Sequence, residues 1–398
     1  MKRKIALLVA GLMIFMSFSG IGVSAADEKI VIKWAVQTDN TPATQVLIDE
    51  FNRTQSKYKV EWVQMTNDST QMKTQLMTSL SAKSSEYDVI AMDVVWAGEF
   101  AAAGYLNPLD KDMYAASLKK TQFNSGSMAA GTYMGKQYTL PFFPDLGMLY
   151  FRSDIVSKED AAKLVSGKYT HKDLAAMAKK YKGKGGTTDG IVYQARQYEG
   201  LTCNVAEFTG GFTDIRGGLE TMKFFSTSGI APKNILNYNE AETHNSFING
   251  KSVFARNWPY MYSMLTESVK PAQVGIAPLP KGSTVGGWVL GINKNSKNAA
   301  GAFEFMKYAA GWTGQMIMSR KGGYLPGYNV LLNDSRVLDV NPMLKIEGFK
   351  NAVKTTISRP VSAQYSKTSD AIQVNVHKYL SGGQDLNTTV KAVQNALK

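Results

Sequence analysis

The sequence predicts an α/β protein of two domains, and three observations support this prediction. Short apolar strands alternate with amphipathic helices from residue 30 onward, which is typical of a parallel sheet covered by helices. About 373 residues remain after a predicted N-terminal signal segment, more than one simple core accommodates. The single cysteine excludes a disulfide framework, so a hydrophobic core must stabilise the fold.

A βαβαβ unit is predicted first. Thr41 and Pro42 supply an N-cap and a first helical residue, and Ser69 opens the next helix. The predicted strands cover residues 30–36, 58–63 and 87–92, and a third helix covers 97–103. Later in the chain, helices are predicted over 173–180, 218–225, 241–248, 299–308 and 369–380, and strands over 252–255, 274–276 and 288–292.

Polar side chains follow all three strands of this unit. They are Gln37 to Asn40, Thr66 to Asp68, and Asp93 with Trp96. Ligands of open α/β sheets bind beyond the carboxyl ends of the strands, where these residues meet. Their amide, hydroxyl and carboxyl groups suit the hydroxyls of a neutral polyol.

The N-terminus predicts export. Lys2, Arg3 and Lys4 precede a 14-residue apolar run over 5–18, and small residues end at Ala25 and Ala26. This pattern is typical of a signal peptide, predicted over 1–25; the alternative, a membrane anchor, needs about 20 apolar residues. No cysteine is available for lipidation at the cleavage site. We therefore expect a freely soluble protein in the periplasm or at the extracytoplasmic face.

Charge and the scarcity of reactive side chains narrow the function classes. The net charge is +13, with lysines scattered along the chain. This charge is compatible with an anionic partner, but it favours a solvated surface facing an anionic wall or membrane over nucleic-acid binding. The three histidines show no metal spacing, and no GxSxG or SxxK motif occurs. We expect no metal, no cofactor, and a buried, unreactive Cys203.

Aromatic residues are abundant: 6 Trp, 19 Tyr and 17 Phe. Aromatic rings can stack on the apolar faces of sugars while planar polar side chains bind the hydroxyls. Trp34, Trp62 and Trp312 lie in regular elements and are expected in the core. Trp258, before Pro259, and Trp288, after two glycines, lie in loop-like contexts and are expected at a ligand site.

Short motifs in a fixed order resemble one family, the extracellular solute-binding proteins of ABC sugar importers, and within it the trehalose/maltose-binding branch. The resemblance runs from about residue 30 to the C-terminus. It rests on YDVIAMD (87–93), GYLNPLD (104–110), GKQYTLP (135–141), the 145–150 strand with Arg152 and Asp154, YEGLTCN (198–204), FING (247–250), NWPY (257–260), PLP (278–280), GGW (286–288), and Arg359-Pro360 with Tyr365.

The resemblance implies a two-lobed periplasmic-binding-protein fold, each lobe a sheet flanked by helices, with the ligand in the cleft between them. The N-terminal lobe would comprise 26–142 and 290–326, and the C-terminal lobe 143–289 and 327–398. The chain would cross between lobes near 140–147, 287–292 and 325–328. The implied protein is a monomer that is not an enzyme and delivers a sugar to ABC permease subunits.

The family also implies roles for individual residues. Asp39, Asn40 and Asp93, on the face of the first lobe, would accept hydrogen bonds from the hydroxyls of the sugar. Asp145, on the first crossing segment, would do the same. Trp258 and Trp288 would stack on the faces of the sugar, and Gly287 would contact the sugar through its backbone. Arg359 would donate hydrogen bonds to sugar hydroxyls, and Tyr365 would complete the wall of the site. Either Glu240 or Glu242 would reach the cleft.

Two departures from the family leave alternatives open. The missing lipidation cysteine favours a periplasm or another means of retention, and the 206–229 segment is shorter than usual, which leaves the sugar undecided. The expected ligand is a disaccharide such as trehalose or maltose. The alternatives are a longer oligosaccharide, a polyol glycoside or an anionic solute in the same fold, and a secreted glycosidase or polysaccharide lyase with Asp93 and Asp145 as its carboxylate pair.

Overall fold

A computed structural model describes residues 28–360 and 364–398. The predicted signal segment, 1–25, lies outside the described residues. Within them, no helix is long and apolar enough to cross a membrane.

Two sheets organise the chain. The first has the order β12-β11-β3-β1-β2, with β6 also pairing β11; the second has the order β10-β7-β9-β8; β4 and β5 form a small ribbon. The strands are β1 Ile30–Gln37, β2 Tyr58–Met65, β3 Val89–Asp93, β4 Thr132–Tyr133, β5 Lys136–Gln137, β6 Thr139–Leu146, β7 Met148–Arg152, β8 Asp189–Val192, β9 Ser252–Asn257, β10 Val274–Ala277, β11 Ser283–Ile292 and β12 Thr356–Ile357.

Sixteen α-helices cover these sheets in the described part of the chain. They are α1 Ala43–Thr54, α2 Ser69–Ser81, α3 Ala97–Ala102, α4 Asp110–Ala115, α5 Ser125–Ala130, α6 Lys158–Val165, α7 His171–Tyr181, α8 Glu199–Thr209, α9 Ile215–Thr227, α10 Glu240–Ile248, α11 Ala299–Ala310, α12 Trp312–Gly322, α13 Ser335–Leu338, α14 Glu347–Val353, α15 Tyr365–Ser381 and α16 Leu386–Ala396.

The predicted βαβαβ unit is confirmed: β1 pairs in parallel with both β2 and β3. The start of α1 differs from the prediction, because Thr41 is not its N-cap; Pro42 takes that position without a side-chain cap. Instead, Asp39 accepts hydrogen bonds from the Thr44 amide (3.0 Å) and hydroxyl (2.7 Å). An acidic side chain thus satisfies the first turn of α1.

The chain changes its core partners at three places. Phe143 packs with the core of the first sheet, whereas Leu146 packs with that of the second. Along β11, Leu290 belongs to the first core, whereas the Thr284 amide donates to Glu207 on α8 (3.2 Å). Tyr324 contacts the first core and Leu325 the second. The fold is therefore two-lobed, and the exact lobe boundaries remain a prediction.

Three tryptophans were expected in the core. Trp34 is fully buried and meets Phe142 and Phe305 edge-on, and Trp62 packs partly buried against the same core. The prediction for Trp312 is wrong: it is 38% exposed at the start of α12, where the Arg336 guanidinium lies 4.7 Å from the ring centroid. A first-turn position facing away from the sheet offers little apolar surface to pack against.

Candidate ligand-binding site

A cavity of about 240 Å³ opens where the two sheets and the crossing strands meet. Its first-lobe wall comes from the ends of β1, β2 and β3, as predicted, although Trp96 is buried behind Trp288 rather than lining it. The wall residues include Gln37, Thr38, Asp39, Asn40, Asn67, Asp68 and Asp93 from the first lobe, Phe143, Asp145, Gly287, Trp288 and Tyr324 near the crossings, and Tyr198, Glu199, Glu240, His244, Trp258, Tyr260 and Arg359 opposite.

An acid–arginine network forms the floor of the cavity. The Arg359 guanidinium binds both oxygens of Asp93, with Nη1 to Oδ2 at 3.0 Å and Nη2 to Oδ1 at 2.6 Å. Arg359 Nη1 also donates to Glu199 Oε1 at 2.8 Å. Although burial opposes the charge, these carboxylates hold the pKa of Arg359 well above its ordinary value. The paired fork fixes the orientation of both carboxylates.

Tyr365 lies behind this network. Its ring is 1% exposed and its hydroxyl donates to Glu199 Oε1, while Ser369 donates to Glu199 Oε2 at 2.7 Å. Tyr365 does not belong to the cavity wall that the described residues form. It contacts Glu199 and has no direct access to the cavity.

Trp258 is held on two sides by charged groups. The Arg256 Cζ atom lies 3.9 Å from the ring centroid, and Arg256 is itself bound by the buried Glu207 carboxylate through Nε (2.8 Å) and Nη2 (2.5 Å). The Trp258 indole N–H donates to Glu240 Oε1 at 3.2 Å. This arrangement fixes the plane of the ring before any ligand arrives.

Trp288 lies inside β11, not in a loop as its glycine neighbours suggested. It pairs with Asp93 of the neighbouring strand β3, and its ring meets the Trp96 ring edge-on with centroids 5.5 Å apart. The preceding Gly287 has φ +113°, and a Cβ there would approach the Phe143 carbonyl oxygen to 2.4 Å. The glycines therefore permit two crossing strands to touch, and they do not terminate the strand.

Asp145 is the carboxyl of the cavity with the fewest protein partners. It accepts a hydrogen bond from the Leu146 amide at 3.1 Å and has no ion pair within the described residues. Burial, with the charges of Glu240 and Asp93, raises its pKa well above the ordinary value. This side chain thus retains free hydrogen-bonding capacity at the crossing between the lobes.

Asp39, by contrast, has its carboxylate already occupied. Besides Thr44, it accepts from the Thr41 amide (2.8 Å) and hydroxyl (2.7 Å) and from the Tyr324 hydroxyl (2.8 Å). A ligand hydroxyl would compete with five protein donors. Asn40, next in sequence, lines the cavity with an exposed side chain.

The structure separates the two glutamates that the sequence left open. Glu240 lines the cavity and accepts from the Tyr198 hydroxyl at 2.7 Å as well as from Trp258. Glu242 is exposed and closes a capping box with the Asn239 amide at 2.8 Å. Glu240 therefore reaches the cleft, and Glu242 stabilises the start of α10.

Several residues of the cavity wall were not predicted as site residues, among them Tyr198, Glu199, Tyr260 and Tyr324. Tyr260 shares a 3.0 Å hydrogen bond with His244 Nδ1. Burial lowers the pKa of His244, partly offset by the charge of Glu242. No cluster of three His, Cys, Asp or Glu side chains able to hold a metal occurs among residues 28–360 and 364–398.

Residues 34–316 match the family model described as bacterial extracellular solute-binding protein. The chain belongs to this family. The match confirms the family predicted from the ordered motifs, and an exported protein agrees with its extracellular character.

Known proteins that are similar to most of the chain include transport proteins. A probable ABC transporter-binding protein of Deinococcus radiodurans is 29% identical over 85% of this chain and 86% of its own. The maltotriose-binding protein of Pyrococcus abyssi is 24% identical over 75% of this chain and 67% of its own. The structure of T. maritima MalE3 with maltose bound has a TM-score of 0.82 and 26% identity, covering 92% of this chain and 99% of that one.

Proposed function

We propose that this protein captures a neutral disaccharide, such as trehalose or maltose, and delivers it to the membrane subunits of an ABC importer. The observation that carries the proposal is a cavity that combines aromatic rings with carboxyl groups, above all Trp258, Trp288, Asp145 and Glu240. Aromatic faces bind the apolar C–H faces of a sugar ring, and carboxylates accept its hydroxyls.

The charges around the cavity favour a neutral ligand over an anion. Asp39, Asp68, Asp93, Asp145, Glu199 and Glu240 line it, whereas Arg359 is the single basic side chain in its described wall. Arg359 is already engaged by Asp93 and Glu199. An anionic solute would therefore meet repulsion without a free cation to compensate it.

Size and relatives narrow the ligand further. A volume of about 240 Å³ lies near the lower limit of small-molecule sites, roughly 300 Å³, which favours a small sugar over a long oligosaccharide. The MalE3 structure holds maltose, and the Pyrococcus abyssi relative is named for maltotriose. These ligands support an α-glucoside of two units as the first choice for this chain.

Binding would proceed by hinge closure around Asp145. Contacts between the lobes other than the Arg359–Asp93 pair include Arg196 to Asp68 at 3.7 Å and Ser263 Oγ to the Gly322 carbonyl at 3.0 Å. A sugar touching both walls would bind the closed state better and shift the population toward it. Sugar contacts are proposed for Asn40, Asp93, Asp145, Trp258, Gly287, Trp288, Arg359 and Glu240, with indirect roles for Asp39 and Tyr365.

The bonding of Asp93 argues against the glycosidase alternative. Hydrolysis needs a general acid and a second carboxylate that acts as nucleophile or base. The raised pKa of Asp145 suits only the acid, and Asp93 is held by the Arg359 fork at 2.6 and 3.0 Å. The matching relatives named above are transport proteins.

Thermal unfolding in the presence of sugars tests the proposal, because a ligand that binds only the native state raises the melting temperature. We expect maltose or trehalose to raise it for the wild-type protein, and Trp258→Ala to remove the shift. Trp312→Ala, a change at an exposed tryptophan outside the cavity, is the control and should keep the shift. No shift with any disaccharide, or equal shifts for both variants, would contradict the proposal.

A further inference from the structure

The positive charge of this chain is unevenly distributed between regions. Residues 28–139, which carry most of the first lobe, contain eleven basic and twelve acidic side chains. Residues 158–184, which form α6, α7 and the glycine-rich turn that follows, contain eight lysines and three acidic side chains. More than a third of the net charge of +13 thus lies in this short segment of the second lobe.

All eight lysines are exposed, and they lie on two neighbouring helices and the loops that follow them. On α7, Lys172, Ala176, Lys179 and Lys180 are the exposed positions at helical spacing, opposite a buried face that packs in the core. Two ion pairs tie α6 to α7, namely Lys163 to Asp173 at 2.8 Å and Lys180 to Asp160 at 2.9 Å. We name this surface, formed by residues 158–184, the lysine face.

Most of its charge is uncompensated. The acidic residues Asp160 and Asp173 are used by Lys180 and Lys163. Within the part of the chain that the structure describes, no ion pair involves Lys158, Lys168, Lys172, Lys179 or Lys184. The ammonium groups of Lys180 and Lys184 each lie 4.9 Å from the centre of the Tyr181 ring, so two like charges lie around one side chain.

The composition of the lysine face indicates the chemistry of its partner. Every base on it is lysine, a compact and strongly hydrated point charge, with no arginine to form a bidentate fork. No large apolar side chain is exposed on it, since the centre of the α7 face is Ala176. These features suit adsorption to a diffuse layer of phosphate groups, without insertion into hydrocarbon.

The shape of the lysine face favours a planar partner over a chain. Neither described cavity includes a residue of 158–184. At its edge, Gly183 and Gly186 have positive φ and open space where a side chain would be, so the backbone can approach a surface closely. The outer face of two helices contacts a flat layer of headgroups over many points at once.

We propose that the lysine face binds the surface of an anionic phospholipid bilayer and so holds the exported protein near the membrane. The contact is electrostatic and reversible, because each lysine near such a surface contributes separately and salt screens the attraction. It leaves the ligand cavity free, since the wall of that cavity contains no residue of the face.

Co-sedimentation with vesicles tests this inference. The mature chain, without the predicted signal segment 1–25, is mixed with vesicles of phosphatidylcholine alone or with phosphatidylglycerol, at low and high salt. The test variant is Lys172→Gln with Lys179→Gln and Lys184→Gln, none of which donates a side-chain hydrogen bond among the described contacts. The control, Lys111→Gln with Lys120→Gln and Lys136→Gln, removes the same charge from exposed positions on the first lobe.

We expect binding only to vesicles that contain phosphatidylglycerol, abolished by high salt. The test variant should bind roughly a hundredfold more weakly, with the control close to wild type. Both variants should keep the wild-type melting temperature and sugar-induced shift, which separates this inference from the proposed sugar function. Equal binding by test and control variants would overturn it, as would binding to soluble polyphosphate without binding to vesicles.

Discussion

Arg359 and Asp93, 266 residues apart in sequence, form a bidentate ion pair whose arginine side chain is 1% exposed. Asp93 ends a strand of the first sheet, whereas Arg359 also binds Glu199 at the start of α8 in the second lobe. The pair therefore joins the two walls of the cavity. Under the proposed hinge closure, this pair is part of the closed state as well as of the ligand site.

The first prediction concerns this pair. Asp93→Asn keeps the shape but removes the charge that Arg359 binds, which should weaken closure and lower sugar affinity about 30-fold, equivalent to about 2 kcal/mol. Calorimetric titration with the sugar identified by thermal shift measures the loss. The melting temperature without ligand should fall less, because Glu199 still engages Arg359. Unchanged affinity would exclude Asp93 from the binding step.

The second prediction compares two neighbouring glutamates. Glu240→Gln replaces the carboxylate that accepts from Trp258 and Tyr198, and we expect it to reduce sugar affinity about tenfold. Glu242→Gln is the matched control, because a glutamine preserves a capping box; its affinity should remain that of the wild type. A larger loss for Glu242→Gln would reverse the assignment of the two residues.

The third prediction concerns acid stability. His171 stacks on Phe208 with ring centroids 4.5 Å apart, and burial with the charge of Lys281 lowers its pKa to about 4. Because the unfolded histidine titrates near 6.5, the unfolded state binds more protons between these values. The contribution of His171 to the free energy of unfolding is thus fully present above pH 6.5. As the pH falls toward 4, this contribution decreases by about 3 kcal/mol. Urea unfolding at several pH values should show a shallower loss for His171→Phe.

The fourth prediction has the opposite sign. The folded pKa of Asp145 is raised by burial and by neighbouring carboxylates, so the folded state binds more protons than the unfolded state above the ordinary carboxyl pKa. The contribution of Asp145 to the free energy of unfolding is therefore favourable at low pH, and it is lost as the pH rises through the pKa that Asp145 has in the folded state. Asp145→Asn should therefore raise the ligand-free melting temperature at pH 7 and have little effect at pH 4. A lower melting temperature at pH 7 would contradict the direction.

The fifth prediction tests a contact between the lobes outside the cavity. Ser366 at the start of α15 donates to Glu99 at 2.7 Å, beside the Lys73–Glu99 ion pair of the first lobe. Ser366→Ala should weaken closure, with a loss of sugar affinity of about fivefold, or about 1 kcal/mol. Ser381→Ala, exposed at the other end of the same helix, is the control. Equal affinities for both variants would show that the contact does not favour closure.

The first lobe was the more predictable part of the fold, because its strands and helices alternate with clear hydrophobic periods. These periods also predicted where β1, β2 and β3 end. The residues that follow or end these strands, Gln37 to Asn40, Asn67 and Asp93, were therefore correctly predicted to lie together, and they line the cavity. The sequence predicted Trp288 at the site because the two preceding glycines suggested a loop. In the structure these glycines lie inside β11 and allow it to contact β6 closely.

Glu199 was missed for a physical reason. Every residue of α8 is buried, so the helix shows no polar face and no contrast that marks its glutamate as unusual. Tyr324 was missed because its partner Asp39 lies 285 positions earlier in the chain. Local sequence patterns contain no information about such a distant pairing, and the choice between Glu240 and Glu242 likewise needed the orientation of α10.

Gly147 lies between β6 and β7, at the point where the chain enters the second sheet. A Cβ there would come within 2.0 Å of Glu207 Oε1 and 2.5 Å of Arg256 Nη2, the buried pair that supports Trp258. The crossing strand is therefore seated directly on a rigid, fully packed ion pair. We therefore expect rotation of the lobes to leave this residue and the Trp258 platform in place, with the bend on the first-lobe side of Gly147.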